Sequence, residues 1–199
     1  EGTTAAFTVT ATGDTDLNIQ FNYTTSNGTA LQPGDYTSAT SSGTILAGST
    51  TTTINITTIN DTTDEPDQGF TVTLSAPTNA TIVDASGAGT ITDDDTAPTL
   101  SINDVSVVEG VAAVPVVTMS AASDYNVTFN YATSDATAIE PGDYTAQTIF
   151  GTTILAGATT ANLSVPTVDD AVNETSENLT VTLSGPTNST LADATGSVT

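Results

Sequence analysis

The sequence contains no lysine, arginine, histidine, cysteine or tryptophan, whereas aspartate and glutamate together number 23, giving a formal net charge of -23 at pH 7. Without a basic side chain, no carboxylate can form an ion pair with another side chain. The acids must therefore be stabilised by amide and hydroxyl donors, by water or by bound cations. A surface of this sign repels phosphate groups, which argues against nucleic acid and anionic membranes as partners.

The missing side chains also argue against catalysis. The common nucleophile and base triads need cysteine, histidine or lysine, and none is present. A pair of carboxylates can hydrolyse glycosides, but no tryptophan is available as a sugar platform. We therefore expect a protein that is not an enzyme. The absence of cysteine excludes disulfides, so a sufficient core or bound metal must stabilise the fold.

No apolar run approaches the roughly 20 residues that a membrane span needs, and no signal peptide is visible, which predicts a mature or excised chain without direct membrane insertion. Glycosylation triplets of the form Asn-X-Ser/Thr are frequent. With the absence of lysine, they favour an extracellular protein that carries glycans on some of these asparagines. The triplets start at Asn22, Asn27, Asn55, Asn60, Asn79, Asn126, Asn162, Asn173, Asn178 and Asn188.

The chain repeats itself. The segment FNYTTSNGTALQPGDYTSAT from Phe21 matches FNYATSDATAIEPGDYTAQT from Phe129, 108 positions later, and one extra residue near Phe150 then shifts the offset to 109. The match continues from FTVTLSAPTNATIVDASG at Phe70 to LTVTLSGPTNSTLADATG at Leu179. A repeat of this length is one domain, so the sequence predicts two, over residues 1–95 and 96–199.

Within each repeat, apolar residues alternate with polar ones, as in the run from Leu17 through Ile19 and Phe21 to Tyr23. This period of two is typical of half-buried strands. Turn residues separate the runs, and no amphipathic helix is evident. The pattern predicts an all-β protein of two tandem seven-stranded antiparallel β-sandwiches, immunoglobulin-like in appearance. Strands of the first repeat are predicted at residues 5–11, 51–59, 69–75 and 87–92.

The two repeats differ at their ends. A strand-like segment, Thr99 to Val108, precedes the second repeat, but nothing similar precedes Glu1, and the second repeat stops at Thr199, where the first continues to Asp95. We therefore expect the first sandwich to lack its first strand and the second to have an incomplete last strand. Two explanations remain open. The chain is cut from a longer array, or a strand from a neighbouring copy completes each sandwich in a self-assembling fibre.

The acids fall into two classes. Scattered ones, such as Asp16, are explained by solubility alone. Clustered ones suggest Ca²⁺, which takes six to eight oxygen ligands, because converging carboxylates without a basic neighbour repel one another. Plainer roles stay open for two motifs: Asp35 and Asp143 as simple turn formers, and the triplet Asp93 to Asp95 as a solvated linker.

Several motifs occur in fixed order: V-x-E-G, G-T-A-x-x-P-G-D-Y, D-x-x-x-E, V-T-L-S-x-P-T-N and a terminal D-D-D, with Asp135 to Ala138 departing from the second motif. Together they resemble the Calx-beta domain over essentially the whole chain, twice. The resemblance implies a sandwich that binds Ca²⁺ through acids at one tip. In the first repeat these acids are Glu1, Asp35, Asp61, Glu65, Asp93, Asp94 and Asp95, and in the second they are Glu109, Asp143, Asp169, Asp170, Glu174 and Glu177.

The functional hypothesis is a structural repeat of an extracellular filament, fibre or adhesin stalk at the cell surface. Ca²⁺ would stiffen the junction from Asp93 to Glu109, and neighbouring copies of the chain would be its partners. The alternative is an adhesion module that binds glycans or a protein in a Ca²⁺-dependent way. A Ca²⁺ sensor that controls a transporter ranks third, because no membrane segment accompanies the repeats.

Overall fold

The computed structural model describes residues 1–13, 15–171, 173 and 175–199. These residues form fourteen strands and no helix, so no helix among them could cross a membrane. The all-β class and the two-domain architecture are thus confirmed. The strands are β1 (Thr4–Thr10), β2 (Ile19–Asn27), β3 (Thr40–Ile45), β4 (Thr51–Thr57), β5 (Gln68–Thr78), β6 (Ser86–Ile91), β7 (Thr99–Ile102), β8 (Val116–Met119), β9 (Val127–Asp135), β10 (Thr148–Ile154), β11 (Thr160–Asn162), β12 (Leu179–Thr187), β13 (Thr190–Asp193) and β14 (Thr195–Val198).

The chain divides into two compact units. The first unit comprises Glu1–Asp61 and Pro66–Asp94, and the second comprises Thr62–Glu65 and Asp95–Thr199. The short segment Thr62–Glu65 thus belongs to the first repeat in sequence but to the second unit by its contacts.

The described residues of the first unit form six strands in two sheets. One sheet has the order β3-β2-β5-β6, and the other is the antiparallel pair β1-β4. Alternation along β2 turns Ile19 and Phe21 into the core, as the pattern predicted. Tyr36 is buried and its ring stacks on Phe70, with centroids 4.6 Å apart and planes 15° from parallel. Aromatic stacking of this kind adds to the stabilisation that burial alone provides.

In the part of the second unit that the structure describes there are eight strands, in sheets of order β10-β9-β12-β14 and β11-β8-β7-β13. Its core is larger, because β7 contributes the buried residues Leu100 and Ile102. One pair departs from the predicted antiparallel pattern, since β13 runs parallel to β7. Among the described residues, the predicted seven strands in each domain become six in the first unit and eight in the second, where β7 and β13 pair with each other.

The extra residue near Phe150 is a β-bulge. The register of β10 against β9 shifts between Ile149 and Thr152, and Gly151 adopts a positive φ of 70°. Asn130 Oδ1 accepts a hydrogen bond of 3.0 Å from the Gly151 amide, which holds the bulge in place. Because β10 is an edge strand, the bulge hinders pairing with another chain at that edge.

Candidate metal centre

The first acidic site forms where the start of the chain lies against the end of β4. Thr3 and Thr58 exchange hydrogen bonds, from Thr3 N to Thr58 Oγ1 at 3.0 Å and from Thr58 N to Thr3 O at 2.9 Å. Gly2, which precedes Thr3, has a positive φ of 61° and lies close to Asn60. These contacts place Glu1 beside the next loop, where its Oε2 accepts a long hydrogen bond of 3.4 Å from the Asp61 amide.

Three predicted ligands come together here. Glu1, Asp61 and Asp95 each offer a carboxylate oxygen, and these oxygens all lie within 4.8 Å of one another. Oxygens on opposite sides of a Ca²⁺ ion are about 4.6 to 5.2 Å apart, twice the usual Ca–O distance. The three carboxylates therefore have a spacing that suits one shared Ca²⁺ ion.

A fourth acid, Asp93, supports the same arrangement. Its Oδ1 is buried and accepts no hydrogen bond from the described part of the chain. A buried carboxylate oxygen without a donor is costly, and a cation is one way to compensate it. The Asp93 amide donates to Asp67 Oδ1 at 3.2 Å, so Asp67 also lies at this site.

The electrostatics of the site disfavour the ionised form of Glu1. Burial raises the pKa of Glu1, and the nearby charges of Asp61 and Asp93 raise it further, while the Asp61 amide hydrogen bond and the amino group of Glu1 oppose the shift. That amino group lies 3.8 Å from Asp94 Oδ1. No lysine, arginine or histidine exists in the chain to offset these charges.

Asp35 has a structural role besides any metal binding. Its Oδ2 accepts a 2.6 Å hydrogen bond from the Leu31 amide and so closes the turn that contains the cis Gln32-Pro33 peptide. Its carbonyl accepts a hydrogen bond from Ile59 N at 2.9 Å, two residues before Asp61. Asp35 therefore adjoins the segment that carries Asp61, but it is not among the three converging acids, and the turn-former interpretation accounts for one of its oxygens.

Two further acids of the first repeat lie elsewhere. The Asp94 side chain is 62% exposed. Glu65 lies in the segment Thr62–Glu65, which groups with the second unit. Their role as metal ligands stays a prediction.

The second repeat builds part of the same scaffold. Gly110, with a φ of 75°, lies so close to Asp169 that an added Cβ would come within 2.8 Å of the Asp169 Cβ. Asp143 repeats the turn of Asp35, with its Oδ2 accepting from Ile139 N at 2.6 Å and its carbonyl accepting from Val168 N at 2.9 Å.

The predicted acids of the second repeat do not converge to the same extent. Glu109, Asp169 and Asp170 are exposed, and Glu177 is half-buried. Within the described ranges, no three acids of this repeat bring their oxygens together as Glu1, Asp61 and Asp95 do. Glu174 lies outside the described residues, and its role as a ligand stays a prediction.

Sequence reasoning overlooked two acids. Asp67 accepts from the Asp93 amide, and its position in the acid-rich run from Asp61 to Asp67 is the signal that could have identified it. Asp135 accepts hydrogen bonds from Tyr144 Oη at 2.6 Å and from Glu140 N at 3.2 Å. Asn27 plays the same part for Tyr36 in the first repeat, with a bond of 2.7 Å. The departure from the repeat motif at Asp135 was visible in the sequence, but its partner was not.

Comparison with known proteins gives one family. The sequence model described as the Calx-beta domain matches residues 1–96 and again residues 92–198. Among solved structures, the chain is similar to "CBD12 from CALX1.2", with 18% identity, a TM-score of 0.47 and coverage of 98% of this chain and 92% of that chain. It is also similar to "calcium binding domain CBD12 of CALX1.1", with 20% identity, a TM-score of 0.45 and coverage of 92% and 73%. No curated protein matches significantly.

Proposed function

This chain belongs to the Calx-beta family as two tandem domains, and from that premise we propose that it is a non-catalytic, Ca²⁺-binding structural repeat of an extracellular filament, fibre or adhesin stalk. The extracellular assignment rests on the many glycosylation triplets and the absence of lysine. The structural role rests on the tandem repeat and on the lack of any histidine, cysteine or lysine for the common catalytic triads.

The observation that carries the proposal is the convergence of Glu1, Asp61 and Asp95 in a chain without a basic side chain. These three residues would hold the ion, with Asp93 beside them. Bound Ca²⁺ supplies positive charge and a coordination shell that crosslinks the carboxylates. The chain contributes the turn at Gly2, the Thr3 to Thr58 hydrogen bonds and the segment after β6, which together bring the acids into one place.

The mechanism we propose is mechanical. The acids come from three separate parts of the first repeat: its first residue, the loop after β4 and the segment after β6. An ion bound to all three would fix the segment that leads out of the first domain against the loops of that domain. In a string of such domains, fixing each exit segment would stiffen the junctions and turn a flexible chain into a rod, with neighbouring copies as partners and strand exchange as one way to join them.

Melting in Ca²⁺ and in chelator tests the ion site. At a Ca²⁺ concentration 100 times the dissociation constant, binding adds about 2.7 kcal/mol to the free energy of unfolding. We expect Asp61→Asn to reduce both the Ca²⁺ affinity, measured by calorimetric titration, and the melting shift. Asp16→Asn removes the same charge from an exposed position and should leave both unchanged. Equal melting temperatures of the parent chain in Ca²⁺ and in excess EDTA would refute the proposal.

The filament role needs a separate test. Electron microscopy of the native assembly should show a repeating fibre. Small-angle scattering of the isolated chain should show a change in the distribution of particle dimensions when EDTA removes the ion. A chain that forms no assembly and scatters identically in both conditions contradicts the mechanical role, even if Ca²⁺ binds.

A second candidate is a Ca²⁺-dependent adhesion module for glycans or proteins. The observation in its favour is the bulge of β10, where Phe150 is 76% exposed beside the partly exposed Ile149. Aromatic residues are enriched in protein interfaces relative to the rest of the surface. Retention on a glycan array that is lost in EDTA and in Phe150→Ser would favour this function over the structural one, and absence of retention would remove it.

A further inference from the structure

All ten asparagines that begin a glycosylation triplet lie within the described residues. The sequence does not distinguish them, because every one satisfies the same Asn-X-Ser/Thr pattern. A glycan bonded to the side-chain nitrogen, Nδ2, is bulky and hydrophilic, so the native fold accommodates it only where that nitrogen can point into solvent. The structure sorts the ten triplets by this condition.

Two equivalent triplets already use Nδ2 inside the fold. Asn79 Nδ2 donates to Asn18 O at 2.8 Å, and Asn188 Nδ2 donates to Asn126 O at 3.0 Å. Asn79 and Asn188 also have positive φ values, 59° and 54°, in a region that asparagine enters more readily than most residues. The same contact in both repeats indicates that these two carboxamides hold a turn in place.

Four further triplets have a carboxamide that contacts the fold. Asn60 Nδ2 donates to Asp61 O at 3.0 Å. The other three are held through Oδ1, which accepts from Tyr36 Oη at 2.7 Å in Asn27, from Ala156 N at 2.9 Å in Asn126 and from Thr137 Oγ1 at 2.7 Å in Asn178. A donor on the oxygen fixes the plane of the carboxamide, so the nitrogen is not free to turn outward.

Two triplets present a free carboxamide on the outer face of a sheet. Asn55 in β4 and Asn162 in β11 are exposed, and neither side chain makes a hydrogen bond with another described residue. The residue after each is buried, with Ile56 1% and Leu163 2% exposed. Because side chains alternate along a strand, the asparagine and the hydroxyl residue two positions later face solvent together.

The surroundings of Asn55 and Asn162 leave room for a sugar. β4 and β11 are each the last strand at one side of their sheets. Asn55 therefore has one cross-strand neighbour within its sheet, Ala6, whose side chain is a methyl group, and Asn162 has one, Val116. Each asparagine is thus flanked by a partner strand of its sheet on one side only.

The two remaining triplets are less suitable. Asn22 lies in β2 between two strands, opposite Ser42 of β3 and Ser75 of β5. It lines a recess of about 250 Å³ in the sheet, so neighbours on both sides restrict access to its nitrogen. Asn173 is exposed, but the residues before and after it lie outside the described ones, and it is not included in the proposal.

We propose that Asn55 and Asn162 carry the N-linked glycans of the two domains. The donor is a sugar activated by a phosphate leaving group, and a glycosyltransferase of the producing cell provides the base. Nδ2 forms a bond to the anomeric carbon of the sugar, the bond from that carbon to the phosphate oxygen breaks with its electron pair, and Nδ2 loses one proton to the base. This inference deepens the proposed extracellular function, on which it rests, by naming the attachment sites.

Mass spectrometry of the protein from its own cells tests the assignment. Trypsin cannot cut a chain without lysine or arginine, so the digestion uses a protease that cuts beside acidic residues. Electron-transfer fragmentation then locates each glycan on its asparagine. We expect glycans on Asn55 and Asn162 and none on Asn79 or Asn188. A bare Asn55 or Asn162, or equal occupancy of all four, would overturn the proposal.

Glutamine variants of the unglycosylated chain test the sorting without any enzyme. Asn79→Gln should lower the melting temperature of the first unit by roughly 4 to 8 °C, because it removes the hydrogen bond to Asn18 O. Asn55→Gln makes the same replacement at an exposed position of the same unit and should leave the melting temperature unchanged. Equal melting of the two variants would refute the distinction on which the proposal depends.

Failure of this proposal is distinguishable from failure of the proposed function. The positions of the glycans are determined independently of the Ca²⁺ effect on melting and of the images of the assembly. A protein that binds Ca²⁺ and forms fibres, yet carries no glycan at Asn55 or Asn162, refutes the attachment sites alone.

Discussion

Replacing Gly110 by alanine tests whether the scaffold of the second acidic loop is as tight as described. Gly110 has a φ of 75°, and an added Cβ would lie 2.8 Å from the Asp169 Cβ. Two costs follow. A non-glycine residue in the left-handed region costs about 1 to 2 kcal/mol, and forcing a methyl group into occupied space costs about 1 to 3 kcal/mol more.

Gly157→Ala is the matched control. Gly157 has nearly the same φ, 77°, but nothing lies within 4 Å of an added Cβ. Both substitutions share the backbone cost and the reduced entropy of the unfolded chain, so the difference between them isolates the contact with Asp169. We expect Gly110→Ala to destabilise the second unit by about 1 to 3 kcal/mol more than Gly157→Ala, which corresponds to a melting temperature lower by roughly 4 to 20 °C.

Differential scanning calorimetry in EDTA measures this difference without any contribution from the ion. Near-ultraviolet circular dichroism of the tyrosines provides an independent signal, since the chain has no tryptophan. If the two variants melt together, the close approach of Gly110 and Asp169 is wrong. The correspondence between the approach of Gly110 to Asp169 and that of Gly2 to Asn60 would then fail with it.

Three other outcomes are expected. Burial, followed by the hydrogen bond to Asp135, raises the pKa of Tyr144 to about 12, so the stability that Tyr144 provides is present below pH 10 and lost as pH rises through 12. Asp135→Asn should lower the Tyr144 pKa, measured by tyrosinate absorbance. An unchanged pKa contradicts the contact between Tyr144 and Asp135. Burial raises the pKa of Glu1 above its ordinary value of 4.5, so the stability that Glu1 provides is present below that value and lost as pH rises through the folded pKa. In EDTA, the melting temperature of the first unit should therefore fall as pH rises through this window. An equally steep fall in the Glu1→Gln variant refutes the assignment. Leu100→Ala should lower the free energy of unfolding of the second unit by about 2 to 5 kcal/mol in urea. Leu155 is 65% exposed, so Leu155→Ala should change that free energy by no more than about 0.5 kcal/mol. Similar values for the two variants would contradict the burial of β7.

The strands were accessible from the sequence because side chains alternate between the two faces of a strand. Predicted strands at residues 5–11, 51–59, 69–75 and 87–92 correspond to Thr4–Thr10, Thr51–Thr57, Gln68–Thr78 and Ser86–Ile91. Phe21 and Phe129 are buried as the period of two requires. Leu17 marks the limit of the pattern, since it precedes β2 and is 58% exposed.

The candidate site was only partly accessible. The absence of basic residues and the clustering of acids predicted a cation, and the resemblance to the Calx-beta domain implied its ligands. Which acids meet depends on loops that are distant in the chain, so the convergence of Glu1, Asp61 and Asp95 emerged only in the structure. The use of one Asp35 oxygen by the Leu31 amide was equally invisible, because it depends on the shape of a turn.

The sequence by itself determined the repeat, the all-β class and the unbalanced negative charge, because these follow from composition and from local periodicity. The tertiary structure alone decided that Thr99–Ile102 pairs parallel to β13 and antiparallel to β8 in the second unit, and that Glu1, Asp61 and Asp95 meet. The physical reason is that strand partners are selected by hydrogen-bonding edges and buried area, which segments far apart in the chain create only when they pack together.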